Sequence, residues 1–195
     1  MPAEVWSRAV RPWVVLSNQV LLDRRWLRVR EQRVRLSNGA VIDQFHLLDS
    51  PNWSAVLAVT PENQVVMVEQ YRHGLGRTSR ELPAGVIERD ESPLEAARRE
   101  LLEETGFLSE SWHALFEASP EPNRSSHRAF VFVALDARPV QAPKPDQSEV
   151  LRTLLLPAEA LLDDLDRGVL DHGIHVAAIL MAERRGWLKC PRATR

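Results

Sequence analysis

The chain has 195 residues, of which 44 % are hydrophobic and 27 % are charged, the balance of an ordinary globular protein. Its formal net charge of −2 gives no broad basic field, so the sequence predicts no nucleic-acid partner. There is no apolar run of about 18 residues and no charged-then-apolar leader, so we expect no membrane partner and no signal peptide. The single cysteine, Cys190, excludes an internal disulfide and favours a cytoplasmic location; we interpret it as incidental.

The first 50 residues predict a small antiparallel sheet. Residues 26–36 alternate apolar side chains with arginine or glutamine, which indicates a strand with one face in water. Asn38-Gly39 is a strong hairpin signal, after which the chain returns as a partner strand. The predicted strands cover 13–22, 26–36 and 40–48, after an extended arm over 1–12.

The rest of the chain predicts a mixture of strands and helices. Strands are predicted over 55–59, 65–72, 112–118, 129–135 and 150–156, and helices over 93–105, 157–165 and 174–185. Residues 73–79 and the proline-rich segment 136–147 are predicted to be loops. This pattern indicates an α/β (α+β) fold, with residues 1–50 as one domain and residues 51–195 as another.

The longest predicted helix lies inside a strongly acidic stretch, Gly85–Phe107, which holds seven carboxylates. Ser92 is the predicted N-cap, Pro93 takes the first helical position, and Glu95 completes a capping box. Gly106 is a natural C-terminal stop.

Three glutamates of this helix, Glu100, Glu103 and Glu104, have the spacing i, i+3 and i+4 and therefore share one face. Like charges this close repel each other unless a cation lies between them or water solvates them. An all-oxygen cluster suits a hard ion such as Mg²⁺ or Mn²⁺. A solvated acidic face is the alternative, but it leaves the glycines at both ends of the stretch unexplained.

These residues resemble the Nudix box, and every fixed position of that pattern is present. The matching residues are Gly85, Glu91, Arg99-Glu100-Leu101, Glu103-Glu104 and Gly106-Phe107. The resemblance implies the Nudix fold, a mixed sheet sandwiched between helices, for a catalytic domain over 51–195. It also implies a hydrolase that uses Mg²⁺ or Mn²⁺, in which Arg99 orients the box through Glu91.

Segments around the box resemble the ADP-ribose pyrophosphatase branch of that family. They are Glu69-Gln70-Tyr71-Arg72, the run from Glu81 to Gly85, the N-terminal sheet, and Pro122 sixteen residues after Gly106. The branch implies hydrolysis of a nucleoside diphosphate sugar, with ADP-ribose giving AMP and ribose 5-phosphate. Alternatives are another Nudix substrate (GDP-mannose, a dinucleoside polyphosphate or coenzyme A) and a non-catalytic sensor that binds ADP-ribose.

The resemblance also implies roles for individual residues. The expected metal ligands are the Ala84 carbonyl and the carboxylates of Glu100, Glu103 and Glu104. Glu103, Glu104 and Glu121 are the catalytic candidates. Glu121 is the candidate base because the base often follows the box in this branch; alternatively, Glu121 is a solvated acid and a box glutamate acts. Arg72 and Glu81 are expected to contact substrate.

Tryptophan gives a further candidate for substrate binding. Trp26 or Trp13, in the N-terminal sheet, has the flat aromatic face that stacks on a nucleobase, although packing in a core or dimer interface is the alternative. The branch implies a homodimer formed through the N-terminal sheet. His172 and His175 have the spacing i, i+3, but Gly173 lies between them and no acidic cluster is near, so we predict no zinc site there.

Overall fold

A computed structural model describes residues 10–147 and 149–189. Cys190 and residues 1–9 of the predicted N-terminal arm lie outside the described residues. The described residues form two compact units. The first unit contains residues up to Pro51 together with Glu121–His127, and the second contains the remainder.

The first unit is a three-stranded antiparallel sheet. Its strands are β1 (Val14–Arg24), β2 (Leu27–Arg35) and β3 (Val41–Asp49), paired in that order. The predicted turn lies between β2 and β3, where Gly39 has φ +90° and the Asn38 side chain accepts the Ala40 N–H. The predicted N-terminal sheet is therefore confirmed. Residues 121–127 join it through the Leu48 N–H, which donates to the Arg124 carbonyl at 2.8 Å.

The second unit is a mixed sheet with helices. Its elements are β4 (Trp53–Val59), β5 (Gln64–Arg72), β6 (Arg77–Glu81), β7 (Ala84–Val86), α1 (Pro93–Thr105), β8 (Phe107–Leu108), β9 (Ser111–Ala118), β10 (Ala129–Leu135), β11 (Arg138–Pro139), β12 (Leu151–Pro157), α2 (Ala158–Asp166) and α3 (Gly173–Arg184). The strand order is β12-β5-β4-β10-β9, with β6 on β5 and β7 on β4. Only the β4–β10 pair is parallel among the described ladders, so the sheet is mixed, as predicted.

Strand β4 explains the layering of this unit. Residues 55–58 are fully buried, and alternate side chains enter different clusters. Leu57 joins residues of α2 and α3, such as Leu161 and Ile179, whereas Val56 joins Ala97 and Leu101 of α1. A strand covered on both faces reads as a continuous apolar run, which is why β4 was predictable. The sheet thus lies between helices. Across the described residues, no helix is both long and apolar enough to span a bilayer.

Four short strands, β6, β7, β8 and β11, were not predicted; β11 lies inside the predicted loop 136–147 and pairs with β8. Strand β6 begins at Arg77, within the predicted loop 73–79, and pairs with β5, and β7 lies where the sequence predicts only a turn. Neither segment has an apolar alternation. Ion pairs hold β6 instead: Arg80 bonds with Glu69 at 3.4 Å and with Asp164 at 2.7 Å.

Candidate metal centre and active site

Helix α1 begins and ends at the predicted residues. The Glu95 N–H donates to the Ser92 hydroxyl, and the Ser92 N–H donates to the Glu95 carboxylate at 2.8 Å, which completes the capping box. Gly106 ends the helix at φ 74°, and its N–H donates to the Leu102 carbonyl. Because both ends are capped, the glutamates of α1 keep a defined rotation about the helix axis.

Two of these glutamates lie against the backbone of β7. The Ala84 N–H donates to Glu104 Oε2 at 3.0 Å. Gly85 lies so close to the other carboxylate that a Cβ atom there would be 1.8 Å from Glu100 Oε1. Any residue other than glycine at position 85 would therefore displace Glu100.

Both carboxylates are removed from water. Glu100 is 6 % exposed and Glu104 is 2 % exposed, whereas the Glu103 side chain is 47 % exposed. Burial, together with the charge of Glu100, raises the pKa of Glu104 to about 8. Burial also raises the pKa of Glu100 to about 7, against the opposing effect of Arg99. Two neighbouring buried acidic groups with raised pKa values are typical of a functional site.

Arg99 is the centre of the ionic contacts on this face of α1. Its guanidinium bonds with both oxygens of Glu91, at 2.9 and 3.0 Å, and donates to the Val86 carbonyl at 3.0 Å. It also contacts Glu100 Oε1 at 2.7 Å and Glu103 Oε2 at 3.2 Å. Arg99 therefore joins the loop before α1 to the carboxylates and fixes their orientation.

The ion pairs of Arg99 set the directions in which the carboxylates of α1 point. Within residues 10–147 and 149–189, no three His, Cys, Asp or Glu side chains converge in a geometry ready for a metal ion. The reason is that Glu100 and Glu103 both point to Arg99. The donor chemistry nevertheless fits a hard cation, because Glu100 and Glu104 are buried carboxylates whose pKa values stay raised despite the charges of Arg99 and Arg72.

Arg72 and Glu81 form a second ion pair, of which the carboxylate is buried and the guanidinium is partly exposed. Arg72 Nε donates to Glu81 Oε1 at 3.0 Å, and its terminal nitrogen contacts Oε2 at 2.6 Å. Glu81 is 2 % exposed; burial opposes its ionisation, but Arg72 holds its pKa below the usual value. The charge of Arg72 also reaches Glu104, whose pKa it lowers. A cavity of about 350 Å³ beside the pair is lined by Arg72, His73, Gly74, Leu75, Ser79, Glu81, Asp171 and His172.

The sequence analysis missed Glu149. Glu149 lies just before β12, whose first residue, Leu151, pairs with Gln70 of β5. The charge of Glu149 raises the pKa values of both Arg72 and Glu104. Its carboxylate accepts the Asp146 N–H at 3.2 Å. Glu149 stands between the predicted loop 136–147 and the predicted strand 150–156, so nothing in the sequence pattern singled it out.

The remaining candidates belong to the first unit. Trp26 is 56 % exposed, and the Arg25 guanidinium lies 4.3 Å from the centre of its ring. Trp13 packs edge-on against Phe45, with ring centroids 5.4 Å apart. Trp13 and Phe45 line a cavity of about 500 Å³ together with Pro122, Asn123 and Arg124. Glu121 begins the segment beside them and accepts the Ser125 N–H with its carbonyl at 2.9 Å.

Comparison with known proteins agrees with this architecture. A model of the NUDIX domain matches residues 51–175, more than half of the chain, and a model of the nucleoside diphosphate sugar hydrolase N-terminal domain matches residues 13–48. A crystal structure of an ADP compounds hydrolase aligns with a TM-score of 0.80 and 24 % identity, covering 93 % of this chain and 97 % of the other. That likeness concerns the fold.

Two curated relatives are similar in sequence. A methanol dehydrogenase activator from Bacillus methanolicus is 34 % identical over 119 residues, which are 61 % of this chain and 64 % of the relative. An ADP-ribose pyrophosphatase from Bacillus subtilis (strain 168) is 32 % identical over 130 residues, or 66 % and 70 %. The matched stretch thus spans less than two thirds of the first relative's length and more than two thirds of the second's. With the domain match, the complete box on α1 and the sheet between helices, the chain belongs to the Nudix hydrolase family, whose members generally use divalent metal ions.

Proposed function

We propose that this protein is a metal-dependent pyrophosphatase of nucleoside diphosphate sugars that hydrolyses ADP-ribose to AMP and ribose 5-phosphate. The observation that carries the proposal is the pair of buried carboxylates, Glu100 and Glu104, held against β7 within reach of the charge of Arg72. The match of residues 13–48 to the N-terminal domain of nucleoside diphosphate sugar hydrolases supports the substrate class. The single cysteine in the sequence suits action in the reducing cytoplasm.

The proposed metal is Mg²⁺, with Mn²⁺ as the alternative, because carboxylate and carbonyl oxygens are ligands of hard cations. The proposed ligands are the Ala84 carbonyl and the side chains of Glu100, Glu103 and Glu104. When bound, such an ion neutralises phosphate charge and makes water more acidic. Arg99 keeps the carboxylates of Glu100 and Glu103 oriented through contacts of 2.7 and 3.2 Å, respectively.

The cationic residue proposed to hold the substrate diphosphate is Arg72. Glu81 fixes its guanidinium with two hydrogen bonds, so the side chain is oriented before substrate binds. In the reaction, a water oxygen bonds to phosphorus and the bridging P–O bond breaks. The proton of that water passes to a carboxylate of the chain.

Glu149, Glu121 and the box glutamates are the candidates for that base. The electrostatic influence of Glu149 on Glu104 and Arg72 favours Glu149 within the second unit. Glu121 belongs to the first unit and remains the prediction made from the sequence. Glu103 is the box residue whose exposed carboxylate is best able to exchange protons with water.

An aromatic residue of the first unit is proposed to stack on the nucleobase. Trp26 is exposed, with Arg25 placed over its ring. Trp13 lines a cavity together with Phe45 and Arg124, and a nucleobase could stack there. An aromatic wall beside a guanidinium suits a flat ring that carries a phosphate chain.

A homodimer formed through the N-terminal sheet is also proposed. A three-stranded sheet has two edges, and here the first edge strand, β1, is rich in exposed apolar side chains. They are Val14, Val15, Leu16, Val20 and Leu21, each between 36 % and 55 % exposed. Exposed apolar side chains on an edge strand are typical of an interface.

A hydrolysis panel tests the function. Purified protein with Mg²⁺ receives ADP-ribose, GDP-mannose, ADP-glucose, a dinucleoside polyphosphate or coenzyme A, and products are separated by chromatography. We expect chelator-sensitive release of AMP from ADP-ribose. The Glu104→Gln variant should lose at least about 100-fold in kcat while remaining folded by circular dichroism, because it loses a ligand charge and no packing volume. Activity confined to polyphosphates or coenzyme A would overturn the substrate class, and tight ADP-ribose binding without hydrolysis would identify a sensor.

The metal site predicts a specific dependence of stability on pH. The pKa of Glu104 rises from an ordinary 4.5 to about 8 on folding. Below pH 4.5 the group is protonated in both states; as the pH rises from 4.5 to about 8, only the unfolded chain readily loses the proton, so metal-free protein becomes less stable. Mg²⁺ should therefore raise the melting temperature more at pH 8 than at pH 5. Thermal melts with chelator or Mg²⁺ measure this, and Glu104→Gln should flatten the difference. Equal shifts at both pH values would contradict the ligand assignment.

Matched variants identify the base. Glu149→Gln should lower kcat about 100-fold or more without changing the Mg²⁺ concentration for half-maximal activity, because a base is needed only for proton transfer. Glu121→Gln is the comparison, with steady-state kinetics measured from pH 6 to 9. A large loss in Glu121→Gln with normal Glu149→Gln would assign the base to the first unit, and small effects in both would leave a box glutamate.

Sedimentation velocity tests the dimer. The wild-type chain should sediment as a dimer at micromolar concentration, and Val15→Glu should shift it towards the monomer by charging the apolar strand. Leu180→Glu is the matched control, since Leu180 of α3 is 51 % exposed and belongs to the other unit. A monomeric wild-type chain, or equal dissociation by both variants, would refute this interface.

A further inference from the structure

A buried histidine contacts the turn that leads to the candidate metal centre. His175 of α3 is 2 % exposed, and its Nδ1 accepts the backbone N–H of Leu82 at 3.2 Å. Leu82 is itself fully buried and opens the turn that delivers Ala84 to β7. The contact joins residues 93 positions apart, so α3 restrains a segment that carries a proposed metal ligand.

Aromatic neighbours fix the plane of this imidazole. His172 stacks on it with ring centroids 3.9 Å apart and an interplanar angle of 16°. Trp53 of β4 packs edge-on against both rings, at 5.3 Å from His172 and 5.9 Å from His175. A ring held on two sides presents its Nδ1 in one direction, which is what a positioning contact requires.

The turn over residues 82–84 makes a hydrogen bond at each of its three residues. The Leu82 N–H is bound by His175, the Pro83 carbonyl accepts the Val56 N–H at 3.0 Å, and the Ala84 N–H is bound by Glu104. Val56 lies in the rigid centre of the sheet, and Glu104 is a proposed metal ligand. His175 supplies the remaining restraint, at the residue where the chain leaves β6.

The protonation state agrees with this role. Since the backbone N–H donates, Nδ1 carries no proton and the ring proton is on Nε2. Burial, with the nearby charges of His172 and Arg72, keeps the pKa of His175 well below its usual value, so the ring is neutral near pH 7. Among the described residues, Nε2 has no hydrogen-bond partner. The hydrogen-bonding capacity of the ring is therefore directed to Leu82 alone.

We propose that His175 is a positioning residue for metal binding: through the Leu82 N–H it holds the turn that presents the Ala84 carbonyl. This inference rests on the proposed function, in which that carbonyl is a ligand. The imidazole does not touch the metal or the substrate. Loss of the acceptor would leave a buried N–H unsatisfied and let the turn relax, which would weaken metal binding before it altered the chemistry.

Two variants of nearly equal shape separate this role from simple packing. His175→Asn keeps an acceptor near the position of Nδ1, whereas His175→Leu has a similar branched shape without one. We expect His175→Leu to bind Mn²⁺ about tenfold more weakly, by calorimetry or electron paramagnetic resonance, and to need about tenfold more Mg²⁺ for half-maximal activity. His175→Asn should recover most of that loss. His113→Leu is the control, because His113 is exposed on β9 and stacks only on Trp187.

Hydrogen exchange of the Leu82 amide provides a readout independent of activity. It should be protected in the wild type and in His175→Asn, and exchange faster in His175→Leu. Equal metal affinity in the His175→Asn and His175→Leu variants would overturn the proposal, whatever their melting temperatures. If neither variant folds, an unprotected Leu82 amide in the wild type would overturn it. A wild-type chain that hydrolyses no nucleotide sugar, yet shows the expected affinity and exchange differences, would refute the proposed function and leave the positioning role intact.

Discussion

The constraint on which the site depends is the burial of two carboxylates against one strand of backbone. Glu100 and Glu104 lie on successive turns of α1 and are almost excluded from water, so each charge needs compensation. The surroundings are arranged accordingly. Gly85 has no side chain where Glu100 lies, and the Ala84 N–H binds Glu104. Burial still raises the pKa values of Glu100 and Glu104 to about 7 and 8, and the proposed divalent cation would compensate these charges.

Two arginines act on this centre, and a separate carboxylate holds each of them. Glu91 binds Arg99 in a bidentate pair, which keeps the guanidinium beside Glu100. Glu81 does the same for Arg72, whose charge reaches Glu104. The two pairs differ in exposure to water: the Arg72 side chain is 43 % exposed and that of Arg99 is 25 % exposed. The Arg72 guanidinium is therefore the more accessible of the two, whereas Arg99 is committed to contacts with Glu91 and the carboxylates of α1.

Local signals were sufficient to predict part of this arrangement. Ser92, Glu95 and Gly106 act within one turn of the helix ends, so α1 and its carboxylate face follow from spacing alone. Strand β6 was missed because it has no apolar alternation, although it forms a hairpin with the preceding strand β5. Glu149 was missed because its electrostatic influence on Arg72 and Glu104 depends on the fold and leaves no signal in the sequence. The pairing of strands carries information that hydrophobic periodicity does not.

Two histidines show that the role of a residue can depend on contacts that the sequence pattern does not reveal. In the sequence, His172 and His175 have the spacing i, i+3 with no acidic cluster near them, which gave only an argument against a zinc site. The fold stacks their rings face to face, with centroids 3.9 Å apart. It also brings His175 to an N–H in a turn 93 residues away. A buried neutral imidazole is a directional acceptor, and such an acceptor constrains backbone in a way that an apolar side chain of equal volume does not. The role proposed for His175 therefore depends on its hydrogen bond with Leu82, and the packing of α3 on the sheet brings these two residues together.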